Sequence, residues 1–291
     1  MPGRFVRHVG RWCAVAVALA GCRAGGDARR ERVVGVSKQL NEFLYAIGAQ
    51  DVLVARDLTS VYPPAIRALP SVGYHRALSA EGILSVRPTL VLTDGNVGPD
   101  AVLAQVRSVG VPVVDVRPGG TVAGAEDALT TLGRRFYRAR AADSVRAAWA
   151  AGMAAVVRDS ARWAAGPRPR VLVMHFGQLV NDYLAVNRGG PADHVIAWAG
   201  GVNAADSVGG MTRLTPELIA RAAPDVVVAT DVGFDRVGSA AAFARLPGVA
   251  LTPAGRAGRV VRVDEGDLMY FGPRTPAAVG RLAALLHPAA R

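Results

Sequence analysis

Tyr74, His75, Arg76 and Glu81 bring a phenol, an imidazole, a guanidinium and a carboxylate together in one short, glycine-containing stretch of the chain. Arg76 follows Tyr74 by two residues, so in an extended segment both side chains project to the same side and His75 points the other way. A nearby cation favours the ionised form of a phenol. A phenolate is a hard anionic ligand suited to ferric iron, and tyrosine is one of the axial ligands of haem iron. The stretch therefore predicts an iron-binding tyrosine at position 74; the alternative is a ring that only packs against its neighbours or lies on the surface.

The surrounding sequence alternates β-rich and helical segments. In chain order, the segments predicted for the first half are the strand 32–36, the helix 41–48, the strands 52–55 and 90–92, the helix 99–110 and the strand 113–116. Strands separated by helices indicate parallel α/β units. Ligands of such folds bind beyond the carboxyl ends of the strands, so we expect the loop that carries Tyr74 at the mouth of a cleft.

One segment of the chain is repeated. Residues 78–92 align without a gap on residues 214–228. In each copy a hydroxyl residue caps a short helix, a glutamate lies in its first turn, and a proline ends it before a buried strand. These residues are Ser79, Glu81 and Pro88 in the first copy and Thr215, Glu217 and Pro224 in the second. The repeat predicts two similar lobes.

A long helix is predicted between the two halves. Apolar residues recur at spacings of three and four, and Gly152 is the only glycine or proline from Arg138 to Ala165. Such a helix of ~25 residues is about 37 Å long. The fold class is therefore α/β, with two Rossmann-like lobes joined by one long rigid helix and a largely preformed ligand cleft between them. The predicted boundaries are 31–137 for the first lobe, 138–166 for the helix and 167–291 for the second lobe.

The first residues are typical of an export signal. A basic start is followed by an apolar run of about nine residues, which is shorter than the ~20 that span a bilayer. The run ends in Leu19-Ala20-Gly21-Cys22, which resembles the bacterial lipoprotein box. We expect 1–22 to be a lipoprotein signal peptide with lipidated Cys22, and 23–30 to be a linker to an extracytoplasmic protein. The alternative is a signal peptide with an accidental cysteine.

Composition argues against several classes of function. The only other cysteine, Cys13, lies inside the signal, so neither a disulfide framework nor thiolate chemistry is expected in the mature chain. The formal charge of +11 falls to about +8 without Arg4, Arg7 and Arg11, and the remaining arginines are scattered, so no nucleic-acid partner is expected. The sequence has no Gly-x-Ser-x-Gly, P-loop or His-Glu-x-x-His pattern, so no enzyme is predicted.

The segment Y-H-R-A-L-S-A-E-G, residues 74–82, with V-R-P-T-L-V-L after it, resembles the haem-binding lipoproteins of bacterial ABC importers. The resemblance continues in A-G-G-V-N-A-A, L-P-G-V-A-L-T-P-A-G-R and F-G-P-R-T-P and covers almost the whole mature chain. This family belongs to a larger group of binding proteins for haem, corrinoids and ferric siderophores. In that group one rigid helix joins the two lobes.

The resemblance implies roles for residues in both halves. The axial tyrosine of the family corresponds to Tyr74, and the arginine beside it to Arg76. Some members add a histidine from the second lobe, for which the candidate is His175; the alternative is a histidine satisfied at a strand end. Phe176 and Tyr183 are candidates for stacking on the porphyrin, although such aromatic residues are more often part of a core.

Charged residues complete the implied site. Arg188 and Arg274 are candidates for the propionates of haem b, the expected cargo, and the alternative for each is a solvated surface charge. In the importer group a glutamate from each lobe meets arginines of the permease dimer, which works with an ATPase. Glu81 and Glu217 match those positions, although the helix dipole alone also explains a first-turn glutamate.

Two other functions stay open at this stage. A corrinoid or ferric siderophore receptor on the same scaffold would not need the Tyr-x-Arg pair. A chelatase-like, metal-processing enzyme would need several convergent acids or histidines in the cleft, of which the sequence offers few.

Overall fold

The computed structural model describes residues 31–176 and 182–288. The predicted signal peptide with Cys22 and the linker 23–30 lie outside the described residues. None of the described helices combines the length and the apolar character that a membrane span requires.

The first lobe is built on a parallel four-stranded sheet. Its strands are β1 (Val33–Val36), β2 (Leu53–Arg56), β3 (Leu90–Thr93) and β4 (Val113–Asp115), in the order β2-β1-β3-β4. Its helices are α1 (Lys38–Ala46), α2 (Ala80–Ser85), α3 (Asp100–Ser108) and α4 (Val122–Arg135). Helix α1 begins three residues before its predicted start because Ser37 caps it. The Ser37 hydroxyl accepts a hydrogen bond from the amide of Leu40 at 3.3 Å.

The predicted connecting helix is present as α5 (Ala139–Ala164), 26 residues long, or about 39 Å at 1.5 Å per residue. Ala142, Trp149 and Val156 are buried along one side, and Val145 and Met153 pack against the same core. The spacing of the apolar residues in the sequence therefore predicted the buried face correctly.

The second lobe combines a parallel sheet with an antiparallel addition. Its strands are β5 (Arg170–Phe176), β6 (Tyr183–Val186), β7 (Val202–Asn203), β8 (Met211–Arg213), β9 (Val226–Thr230) and β10 (Val260–Val263). Its helices are α6 (Pro191–Trp198), α7 (Pro216–Ala222), α8 (Asp231–Val237), α9 (Ala240–Ala244), α10 (Pro253–Arg256), α11 (Gly266–Met269) and α12 (Thr275–Leu286). β7 and β9 pair parallel with β5, and β10 pairs parallel with β9, whereas β6 pairs antiparallel with the end of β5 and β8 pairs antiparallel with β6.

The two lobes repeat the same strand register. Val33 of β1 pairs with Leu90 of β3, and Val171 of β5 pairs with Val226 of β9. Leu90 and Val226 occupy equivalent positions of the sequence repeat. β6 and β8 have no counterpart in the first lobe, so the antiparallel addition is where the two lobes differ.

The helix caps of the repeat are confirmed. Ser79 accepts a hydrogen bond from the amide of Gly82 at 3.0 Å, and Thr215 accepts one from the amide of Leu218 at 3.3 Å. Each cap satisfies an amide that has no partner within its helix.

One apolar core runs through both lobes. Buried Phe43 of α1, Trp149 of α5 and Phe271 belong to a single cluster that also contains strand residues of both sheets. A Cβ at Gly152 of α5 would lie 2.7 Å from Cγ of Pro276 in α12, so the missing side chain allows these helices to approach closely. The shared core and the continuous helix fix the lobes to one another, as the predicted rigid connection requires.

Candidate functional site

A cavity of about 740 Å³, called here the cleft cavity, lies between the lobes. The loops that line it follow the carboxyl ends of β1, β3, β5 and β10, where ligands of parallel α/β folds bind. Its lining includes Lys38, Tyr74, His75, Arg76, Asp94 and Asn96 of the first lobe and His175, Phe176, Asp182, Glu265, Met269 and Tyr270 of the second. This volume lies within the usual range of small-molecule sites, about 300–1,000 Å³.

A second cavity of about 350 Å³, called here the side cavity, adjoins the first. Lys38, Tyr74, Glu265 and Tyr270 line both cavities. Tyr74 therefore lies at the junction of the two spaces.

Tyr74 begins a tight turn and does not lie in an extended segment. The amide of Ala77 donates to the carbonyl of Tyr74 at 2.8 Å, and the amide of Gly98 donates to the carbonyl of His75 at 2.9 Å. Gly73, with φ of +102°, adopts the left-handed conformation that leads into the turn. The predicted extended backbone is wrong here because Gly73 and the Gly98 loop bend the chain.

The turn changes the placement of His75. Its ring contacts the Tyr74 ring edge-on, with centroids 4.4 Å apart, and also lines the cleft cavity, so the expectation that it points away is wrong. Nδ1 of His75 is 3.9 Å from Oδ2 of the fully buried Asp57. Burial lowers the pKa of His75, and Asp57 opposes that shift. A largely neutral imidazole therefore supports the phenol ring.

Arg76 lies on the wall of the cleft cavity, and its side chain is exposed. Its guanidinium donates to Oδ1 of Asn96 at 2.5 Å. Asn96 follows β3, and its own amide donates to Asp94 at 2.9 Å. This bond fixes a positive charge in the same cavity as the Tyr74 ring.

His175 faces the cleft cavity from the second lobe. Its Nδ1 lies 3.2 Å from the hydroxyl of Thr230 at the end of β9, so Nε2 is the nitrogen left for a ligand. Burial lowers the pKa of His175, and Glu265 opposes that shift. A neutral imidazole with one nitrogen hydrogen-bonded is the form in which histidine binds metals.

Of the two aromatic candidates, one reaches the cavity. Phe176 lines it, and the guanidinium carbon of Arg236 lies 5.0 Å from the centre of its ring. Tyr183 pairs with Phe176 across β6 and β5, with ring centroids 4.9 Å apart, and packs against the core of the second lobe. Burial raises the pKa of Tyr183. The geometry favours ligand contact for Phe176 and a packing role for Tyr183.

Arg188 does not line either cavity. Its exposed side chain donates to the carbonyl of Asp206 at 3.0 Å on the surface of the second lobe. The geometry therefore favours the alternative of a surface charge over a propionate partner.

Arg274 lines the side cavity but is largely buried, with 19% of its side chain exposed, so the alternative of a solvated surface charge is wrong. It donates to both oxygens of Glu42 at 2.7 and 3.0 Å and to Asp267 at 3.0 Å. Its guanidinium carbon lies 3.9 Å from the centre of the Tyr62 ring. These contacts join α1 to the second lobe and leave little of the guanidinium for a propionate.

The sequence analysis missed the ion pair between Lys38 and Glu265, whose atoms Nζ and Oε1 are 2.7 Å apart. Lys38 follows β1, and Glu265 follows β10 on the opposite lobe. One signal was available: Lys38 is the only lysine in the sequence. Among the described residues, no three His, Cys, Asp or Glu side chains come together as a metal site.

Glu81 and Glu217 are exposed in the first turns of α2 and α7. A hydrogen bond from Thr215 lowers the pKa of Glu217. Both glutamates are therefore available on the surface, at equivalent places on the two lobes.

The chain matches the family described as periplasmic binding protein over residues 33–266. The periplasmic heme-binding protein RhuT from Roseiflexus sp. RS-1, solved in apo form, is 34% identical, and the alignment covers 90% of this chain and 99% of that one with a TM-score of 0.81. The periplasmic heme-binding protein BhuT, solved in complex with two hemes, is 36% identical, with 88% and 97% covered and a TM-score of 0.79.

A curated protein is similar over a shorter segment. The vitamin B12-binding protein of Vibrio cholerae serotype O1 is 33% identical over 85 residues, which make up 29% of this chain and 31% of that protein. This similarity thus spans less than a third of the curated relative.

Proposed function

The chain belongs to the periplasmic binding protein family, a family of binding proteins and not of enzymes, and on that premise we propose that it is an extracytoplasmic receptor that binds haem and delivers it to an ABC-type importer. The observation that carries the proposal is the placement of Tyr74, whose ring lies at the junction of two cavities between the lobes. The similarity to RhuT and BhuT over nearly their whole lengths supports haem b as the cargo.

Tyr74 is the proposed iron ligand. The phenol oxygen belongs to a half-buried side chain at the cavity wall, with the cation Arg76 in the same cavity and the His75 ring against its edge. The phenolate is the form of tyrosine that binds ferric iron. Phe176 offers an apolar wall for the macrocycle.

Titration of the purified protein with haemin, followed in the visible spectrum, tests the proposal. We expect saturable binding with the spectrum of a tyrosinate-bound ferric haem. A parallel titration with cobalamin is expected to show no saturation. Binding of cobalamin without any change of the haemin spectrum would replace the proposal by corrinoid transport, for which the similarity to the vitamin B12-binding protein is the supporting observation.

His175 is the proposed second ligand of the iron. We expect His175→Ala to convert a six-coordinate spectrum to a five-coordinate, high-spin tyrosinate spectrum and to weaken haemin binding by about tenfold, because one of two ligands is lost. Optical and electron paramagnetic resonance spectra of the two proteins measure the change.

His194→Ala is the matched control, since His194 is exposed on α6 and packs beside Trp198 away from both cavities. An unchanged spectrum in His175→Ala would show that the iron has a single protein ligand. Because His75 also lines the cleft cavity, a loss seen only in His75→Ala would assign the second position to that residue.

Glu81 and Glu217 are the proposed contacts with the permease dimer, which is driven by its ATPase. One exposed carboxylate on each of two similar lobes suits a partner with twofold symmetry. We expect Glu81→Lys or Glu217→Lys to lower haem uptake by membrane vesicles containing the importer by at least about tenfold, because like charges then meet at the interface.

Haemin affinity of the isolated receptor should stay unchanged in these variants, and Asp127→Lys, on the exposed side of α4, should leave uptake unchanged. Uptake that tolerates both lysines would leave the helix dipole as the reason for the two glutamates. The proposed location, outside the cytoplasmic membrane and anchored through Cys22, rests on the signal sequence.

A further inference from the structure

Lys38 is the one lysine among 34 basic residues of the chain; every other one is arginine. The two side chains are not equivalent, because an ammonium is a compact point charge with rotatable donors, whereas a guanidinium is a planar fork. Position 38 is therefore the one place at which the chain has an ammonium group instead of a guanidinium.

The position itself is unfavourable for a positive charge. Lys38 is the first residue of α1, directly after the capping residue Ser37. The N-terminal end of a helix carries partial positive charge, which disfavours a cation there. Because local structure does not favour a lysine here, the reason for it must lie in what its ammonium group meets.

The side chain of Lys38 contacts one carboxylate and lines two cavities. Nζ lies 2.7 Å from Oε1 of Glu265 across the cleft, and the two side chains are 25% and 23% exposed. Burial raises the pKa of Glu265, but Lys38, together with His175 and His75, opposes that shift and the pKa is lowered, which favours the carboxylate. Lys38 lines both cavities, and so does Tyr74.

Lys38 has unused donors and lines both cavities. An ammonium group has three N–H donors, and the Glu265 contact uses one. Arg274 is bound to Glu42 and Asp267, and Arg236 lies over the Phe176 ring. Arg76 donates to Asn96. Among the described residues, Lys38 is thus the cation that lines both cavities and keeps unused donors for an anion.

We propose that Lys38 is a specificity-determining residue that binds a carboxylate of the cargo, with Glu265 holding the ammonium group in place until the cargo arrives. The inference rests on the proposed haem function, since haem carries two propionates that cobalamin lacks. It adds a charge contact beside the proposed iron ligand, since Lys38 and Tyr74 line the same two cavities. Charge-assisted contacts of this kind are short and strong when partly buried.

A purely structural role makes a different prediction. If the ion pair only holds the two lobes together, either substitution removes the same contact. Lys38→Gln and Glu265→Gln then weaken haemin binding to the same extent. If Lys38 binds the cargo, the two variants act in opposite directions, because Glu265 then competes with the cargo carboxylate for the ammonium group.

The test compares haemin with its dimethyl ester, which keeps the iron and the ring but has no carboxylate. We expect Lys38→Gln to raise the Kd of haemin about tenfold and to leave that of the ester nearly unchanged. Glu265→Gln should lower the Kd of haemin. Arg107→Gln, which removes one exposed positive charge on α3 away from both cavities, is the matched control and should change neither.

Equal effects of Lys38→Gln on haemin and on the ester, or weakening by both cleft variants, would overturn the inference alone, because haem binding itself persists. Failure of the unmodified protein to bind either ligand would overturn the proposed function and this inference with it.

A second measurement needs no variant. Lys38 carries the only lysine ε-amine of the chain, so its acetylation by acetic anhydride can be followed at one position by peptide mass spectrometry. We expect haemin to slow acetylation several-fold more than the dimethyl ester does. Equal protection by both ligands would mean that the cargo only covers the side chain, which would contradict carboxylate binding.

Discussion

We expect Tyr74→Phe to remove the charge-transfer band of the proposed tyrosinate-bound ferric haem and to raise the Kd of haemin by more than about 100-fold. The substitution deletes one oxygen and keeps the ring, so the edge contact with His75 is retained. Loss of partners around a metal ligand already costs about 10- to 100-fold in affinity, and loss of the ligand itself should cost more. Visible spectra and competition with apomyoglobin measure the two effects.

Tyr183→Phe is the control for the loss of a phenol as such, because Tyr183 packs within the second lobe and does not line either cavity. It should leave both the spectrum and the affinity unchanged. A normal tyrosinate spectrum in Tyr74→Phe would refute the assignment of Tyr74 and move the ligand to another tyrosine of the cleft. Tyr270 lines both cavities and would be the next to test.

We expect Arg274→Met to lower the free energy of unfolding by about 3–5 kcal/mol, the cost of leaving the buried carboxylate of Glu42 without a cation, whereas Asp267 keeps its ion pair with Arg281. The guanidinium contacts Glu42 through two hydrogen bonds and Asp267 through one, and only 6% of each of these two carboxylate side chains is exposed. Burial raises the pKa of Glu42 and Arg274 opposes it, as expected for a carboxylate that needs its partner. Urea unfolding monitored by circular dichroism gives the difference.

Arg262→Met is the matched control, because Arg262 pairs with Asp235 where both side chains are about half exposed. Exposed pairs contribute about 0–1 kcal/mol, so this variant should unfold nearly as the unmodified protein does. Glu42→Leu combined with Arg274→Met should recover much of the loss, since neither charge is then left alone. Equal losses in the Arg274 and Arg262 variants would show that burial does not determine the strength of the Arg274 contacts.

The sequence predicted the features of this fold that depend on local pattern. The caps at Ser79 and Thr215 and the buried face of α5 follow from residues close together in the chain. Each of these is determined by hydrogen bonds and apolar spacing within one or two turns.

The features that the sequence analysis missed depend on distant partners. The turn at Tyr74 is held by Gly98, twenty-four residues later, and the ion pair of Arg274 is made with Glu42, 232 residues earlier. β6 and β8 are short strands that pair beside β5, and nothing in their own pattern distinguishes them from loops. Pattern reasoning places Tyr74 and His175 near the cleft, but it does not place His75 or the Lys38–Glu265 pair there.

The apolar core shared by the lobes, together with α5, has a kinetic consequence for transport. Because a shared apolar core and a continuous helix join the two walls of the cleft, we expect the proposed cargo not to leave by separation of the lobes. Its residence time would then be set by breaking individual contacts, those proposed for Tyr74 and for Lys38. A partner that removes the cargo quickly must therefore provide the free energy that breaks these contacts. It can provide that free energy by binding surfaces far from the cleft.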